Sequence, residues 1–132
     1  RGMQERLGSK DESTMLHAFL ARAAQPSPAS AMAAGPIHQG LCVNGRKQVQ
    51  ADLELLIKTD GLPAGLPTKA RVLVVEAEQD AIVVPAARTC LIEDLLKHLN
   101  NPPCHWKLPK AGHALLVPGL IERVHDWLES AP

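Results

Sequence analysis

Apolar positions along the chain follow two different patterns, and the change between them falls near residue 67. In the first part, Met15, Leu16, Phe19 and Leu20 recur at i, i+1, i+4 and i+5, a single helical stripe, with Ser9, Lys10, Asp11 and Glu12 ahead of them as capping candidates. This spacing predicts a helix over 11–24. It stops at Gln25-Pro26-Ser27-Pro28, and the Ala/Pro/Ser/Gly-rich stretch as far as Gly35-Pro36 has little to bury, so a flexible loop is expected. Over 37–58, Leu41, Val49, Leu53, Leu56 and Ile57 predict one or two helices, with Asn44-Gly45 as the break between them. Gly61, Pro63, Gly65 and Pro67 then end regular structure, and no strand is predicted before them.

Beyond that point the pattern shortens. Val72-Leu73-Val74-Val75 is a continuous, mostly β-branched run that predicts a strand covered on both faces. Pro85 is placed to open a helix whose apolar positions are Leu91, Ile92, Leu95, Leu96 and Leu99, and Asn100-Asn101-Pro102-Pro103 closes it. Cys104 to Leu108 alternates as a second strand, Pro109 to His113 is a loop, and Val117, Leu120, Ile121, Val124 and Leu128 stripe a last helix. Strand, helix, strand, helix with a crossover of this length predicts an α/β fold with parallel strands. Two strands leave both edges of a sheet unpaired, so the rest of the sheet is expected outside this chain.

Composition narrows the function. At 132 residues the chain has room for one core, and 45% hydrophobic against 21% charged residues is globular, with no run long enough for a membrane span. Fourteen basic residues balance fourteen acidic ones, and Phe19, Trp106 and Trp127 are the only aromatics. Neither a basic field nor a stacking platform exists, which argues against nucleic acid or membrane partners. Cys42, Cys90 and Cys104 are odd in number, lack CxxC spacing and sit among apolar neighbours, so they are expected to be reduced core thiols of a cytoplasmic protein. No metal or organic cofactor is expected: His17, His38, His98, His105 and His125 lack ligand spacing. Arg1-Gly2-Met3 has neither an initiator Met nor an apolar signal segment, so the chain is expected to begin inside a larger protein.

In parallel α/β sheets, functional groups collect beyond the carboxyl ends of the strands. Asp80 lies five residues past Val75 and His113 five past Leu108, in the small-residue setting Ala111-Gly112-His113-Ala114. A carboxylate that accepts from one imidazole nitrogen fixes the tautomer, leaving the other nitrogen to take a proton from a hydroxyl nucleophile. Asp80 and His113 are therefore the candidate orienting acid and general base. Glu76 and Glu78 are rivals for the acid, being closer to the strand.

These residues carry a resemblance. Val72-Leu73-Val74-Val75 through Asp80 to Pro85 is similar to the late strand and acid loop of the α/β-hydrolase superfamily, and Trp106-Lys107-Leu108-Pro109-Lys110-Ala111-Gly112-His113 resembles its last strand and Gly-His loop. Acid before histidine matches the chain order of that fold. The resemblance spans roughly residues 53–130. It implies that 1–66 is a helical cap or lid segment with its linker and 67–132 the C-terminal part of the core, with Asp80 and His113 in the acid and base positions. Within the superfamily, Leu53-Glu54-Leu55-Leu56-Ile57-Lys58-Thr59-Asp60-Gly61-Leu62 is similar to a segment of pimeloyl-carrier-protein methyl ester esterases of biotin synthesis. The implied activity is serine-type hydrolysis of a carboxylic ester, with a small acyl substrate that an acyl-carrier protein could present to the lid.

The chain departs from the pattern at Ala77, where Gly is usual, and at Gln79, where a second acidic residue is common. The larger departure is the nucleophile. Ser9, Ser13, Ser27, Ser30 and Ser130 all lie outside a G-x-S-x-G turn after a β-branched strand, so the nucleophile and oxyanion hole are expected upstream of Arg1 and the chain alone is expected to be inactive. Two other readings stay open: a non-catalytic truncated module that acts by protein interaction, and a dehalogenase or C–C hydrolase of the same fold.

Overall fold

The computed structural model describes residues 2–32 and 40–130. Its elements are α1 (Gly2–Arg6), α2 (Glu12–Ala24), a 3-10 turn (Ala29–Ala31), α3 (Val43–Lys58), β1 (Leu73–Ala77), α4 (Pro85–His98), β2 (Cys104–Leu108) and α5 (Leu120–Glu129). This is mixed α/β, with a two-stranded parallel sheet among the described residues. Gly35-Pro36, Ile37 and His38 lie outside the described residues.

The strands pair in register from Leu73 opposite Cys104 to Ala77 opposite Leu108. Alternation then sorts the side chains. Val75, Ala77, Trp106 and Leu108 share the face on which Leu120 and Val124 of α5 pack, together with Ala111, Leu115 and Val117. Val74, Glu76, His105 and Lys107 share the other face, where Arg88, Thr89 and Ile92 of α4 lie. Arg71 fastens the start of β1 to the end of α5: its guanidinium stacks 4.1 Å from the centre of the Trp127 ring and donates to Ser130 Oγ at 2.7 Å and to the Trp127 carbonyl. Arg123 stacks likewise on Trp106 at 4.7 Å. At the far end of α4, His98 Nε2 lies 2.6 Å from the Leu66 carbonyl oxygen and the Asn100 amide donates to Thr68.

The helical part is tied down by one carboxylate. Glu12 is 4% exposed and accepts hydrogen bonds from the amides of Gly8 and Leu41 and from the Arg46 side chain, whose Nε is 2.6 Å away. The Arg46 bond, reinforced by the two amides, outweighs the cost of burial and lowers the Glu12 pKa from its ordinary 4.5 to about 2. Gly40, at φ 74, passes so close that a Cβ would sit 2.7 Å from Glu12 Oε1.

Several expectations are corrected. Asn44-Gly45 does not divide a helix: α3 runs through both, and they fill its first turn, where Cys42 caps the helix by accepting from the Gly45 amide at Sγ. First-turn amides have no partner inside the helix, so a glycine there interrupts nothing. Asp11 occupies the cap position of α2 without a side-chain cap bond, and α1 was not foreseen. Cys42 and Cys90 are exposed and Cys104 is half-buried, so none is a core thiol; Val43 and Leu91 beside the first two are exposed as well, so apolar neighbours in sequence do not mark a core there. Pro118 and an αL Gly119 delay α5 to Leu120, leaving Val117 to pack from a turn.

Candidate active site

The acid and histidine loops leave the same end of the sheet and are laced together before either functional side chain appears. The Glu78 amide donates to the Leu108 carbonyl at 3.1 Å, the Gln79 amide to Ala111 at 3.0 Å, and the Gln79 side chain to Pro109 at 3.0 Å. Gln79, the departure noted at sequence level, is therefore a strut between the loops. Asp80 follows in a turn closed by its own amide on the Ala77 carbonyl.

Asp80 uses its two oxygens differently. Oδ1 accepts from the amides of Ile82 at 2.7 Å and Val83 at 2.9 Å, which fixes the carboxylate plane in an Asx-type turn. Oδ2 lies 3.0 Å from His113 Nδ1. Burial acts to raise the carboxyl pKa; the bond from His113 and the two amides outweigh it, so the group stays ionised below its ordinary range. The Asp80 side chain is 10% exposed and that of His113 36% exposed, which buries the anion and leaves the imidazole open to a reactant. His113 Nε2 has no hydrogen-bond partner among the described residues.

The histidine loop is held from below by α2. A Cβ at Gly112 would overlap the Gln25 carbonyl oxygen, so only glycine permits this approach, and the Ala114 amide donates to the Ala23 carbonyl at 3.0 Å. Just beyond, Leu115 takes φ 51, an uncommon conformation for a non-glycine residue, closed by its amide on Gly112 at 2.9 Å.

Of the rival acids, Glu76 does not reach His113. It lies 2.7 Å from His105 Nε2 and 3.8 Å from Arg88 Nε, on the α4 face. Arg88 also donates to the Ala77 carbonyl, tying α4 to the end of β1. Sequence reasoning missed this second carboxylate–histidine pair, although parallel register with strict alternation places Glu76 and His105 on one face. It also missed the Gly112 clamp, since a glycine beside a histidine carries no sign of what packs beneath it. Glu78 contributes its amide to the lacing of the loops. His125 pairs with Glu129 one turn on, at 3.5 Å. Among the described residues no cluster of three His, Cys, Asp or Glu side chains is placed to hold a metal ion, and no helix is long and apolar enough to cross a membrane. No protein family, characterised protein or solved structure matches the chain.

Proposed function

We propose that Asp80 and His113 are the orienting acid and general base of a serine-type carboxylic ester hydrolase of the α/β-hydrolase kind, whose nucleophile and oxyanion hole lie in a part of the protein preceding Arg1. The observation that carries this reading is the 3.0 Å Asp80 Oδ2 to His113 Nδ1 contact between loops at the carboxyl ends of adjacent parallel strands. Nδ1 is occupied by a fixed anion, so Nε2 is the nitrogen left to work. In this mechanism the serine hydroxyl attacks the acyl carbon while His113 Nε2 takes its proton, then returns it to the leaving alcohol; Asp80 holds the tautomer and stabilises the imidazolium. Water repeats the cycle and releases the acid. The helices of 1–66 serve as the lid over the acyl group, and an acyl-carrier protein is one way the substrate reaches it.

The coding sequence upstream of Arg1 tests the reading: a β-branched strand followed by G-x-S-x-G and a helix is expected, and the full translation product should hydrolyse 4-nitrophenyl esters. An in-frame stop upstream, with no hydrolysis, would overturn it. A second reading draws on the two outer strand edges, unpaired among the described residues, and on exposed Leu55, Leu56 and Ile57. There the chain is a non-catalytic module pairing its edges with a partner, recognised by a stable assembly of fixed size.

A further inference from the structure

Helix α2 does more than support the histidine loop. Met15, Ala18, Phe19 and Arg22 fall at i, i+3, i+4 and i+7, one face of the helix, and together with Met3 of α1 and Ile82 of the acid loop they line a cavity of about 320 Å3. That volume suits a small organic ligand. The lining is apolar except for one group, the Arg22 guanidinium, and Arg22 has no ion pair or hydrogen bond among the described residues. By contrast, the basic residues with structural work are engaged: Arg46 with Glu12, Arg71 with α5, Arg88 with Glu76 and Ala77.

Chain connectivity orients the cavity. Ile82 is two residues from Asp80 and donates its amide to that carboxylate, while Arg22 precedes Ala23, whose carbonyl accepts from Ala114 beside His113. The charged end of the stripe is thus the end tied to the histidine loop. From Arg22 the apolar face runs back through Phe19 and Ala18 to Met15, seven residues or about 10 Å of helix.

We propose that this cavity binds a medium-chain aliphatic carboxylate, with the carboxylate on Arg22 and the chain along Phe19, Ala18 and Met15 toward Met3. A guanidinium fork matches a carboxylate, and a single cation in the lining suits a single negative charge better than a phosphate dianion. This rests on the ester hydrolase reading for its biological meaning: the ligand is the acid that hydrolysis releases, so the acyl side of the ester, rather than its alcohol, lies on α2.

The test is binding to the full chain, followed by methyl NMR of Met15 and Ile82, with octanoate, 1-octanol and acetate as probes. Octanoate should shift both residues and bind about tenfold more tightly than 1-octanol, the expected gain from a charge-assisted bond, and acetate should leave both unmoved. Arg22→Gln should make octanoate and 1-octanol equal, and Arg22→Lys should restore part of the difference. Both changes are at an exposed side chain, so the fold is kept and the amide spectrum verifies it. Equal binding of octanoate and 1-octanol by the unaltered chain, absence of octanoate binding, or an octanoate preference that survives Arg22→Gln would each overturn the proposal. Because binding needs no nucleophile, loss of the hydrolase reading and loss of this site are seen separately.

Discussion

Asp80 is bound to the turn by one oxygen and to His113 by the other, so substitutions there separate two roles. Asp80→Asn keeps the size and can keep the bonds from Ile82 and Val83, yet it removes the anion that holds the imidazole tautomer. In the full translation product we expect kcat/KM for a 4-nitrophenyl ester to fall roughly 10³- to 10⁴-fold, the scale known for such a change in a serine protease triad. Glu76→Gln should stay within a few-fold of the parent rate, because Glu76 is bonded to His105; a loss as large as that of Asp80→Asn would move the acid to Glu76. His113 was legible in the sequence from its distance past the strand end, whereas Asp80 came ahead of Glu76 and Glu78 through the resemblance rather than through spacing. What alternation could not settle is which carboxylate the loop would turn toward His113: that depends on Gln79 and its hydrogen bonds to the opposite loop.

Among the elements, α2 is the one that couples the two halves of the chain, at its end through Ala23 and Gln25, while Glu12 at its start ties it to Gly8, Leu41 and Arg46 within the first half. Gly112→Ala places a methyl group on the Gln25 carbonyl oxygen and should lower stability by about 1–3 kcal/mol in urea unfolding, with loss of exchange protection at the Ala114 amide. An unchanged Ala114 amide would show that α2 is not clamped there. Glu12 gives a pH dependence of fixed sign. Its carboxyl titrates at about 2 in the folded chain against an ordinary 4.5, so the unfolded chain takes up the proton first as pH falls. The stabilisation is complete above about 4.5 and is lost on descent toward 2; the lowered Asp80 carboxyl acts in the same direction. Protection factors at the Gly8 and Leu41 amides, taken against intrinsic exchange at each pH, should fall over that range while the β1–β2 ladder stays protected, and constant protection factors at both amides down to pH 2 would contradict the account. The places of α2, α4, α5 and the two strands were legible because apolar spacing and proline mark them locally, whereas the five-residue α1 carries no such stripe. The Glu12–Arg46 tether was not legible, since it joins residues 34 apart in a way that no periodicity records.

At the scale of the whole molecule, the described residues leave a good deal of apolar surface open. Ile121 is 83% exposed and Leu56 70%, and α3 buries no residue. A two-stranded parallel sheet with both edges unpaired among the described residues is marginal on its own. The isolated chain should therefore self-associate with rising concentration in sedimentation. Leu56→Glu should reduce that association while changing folding stability by less than about 0.5 kcal/mol, since the side chain touches little; a large loss of stability would mean that α3 packs against a core.

The account stands most directly on His113 as the proton carrier. The measurement is 4-nitrophenyl ester hydrolysis by the full translation product beside its His113→Ala variant, with both folds verified by circular dichroism. The account predicts a measurable rate for the first and a drop of at least about 10³-fold for the second. Equal rates, or no hydrolysis by either, would contradict it.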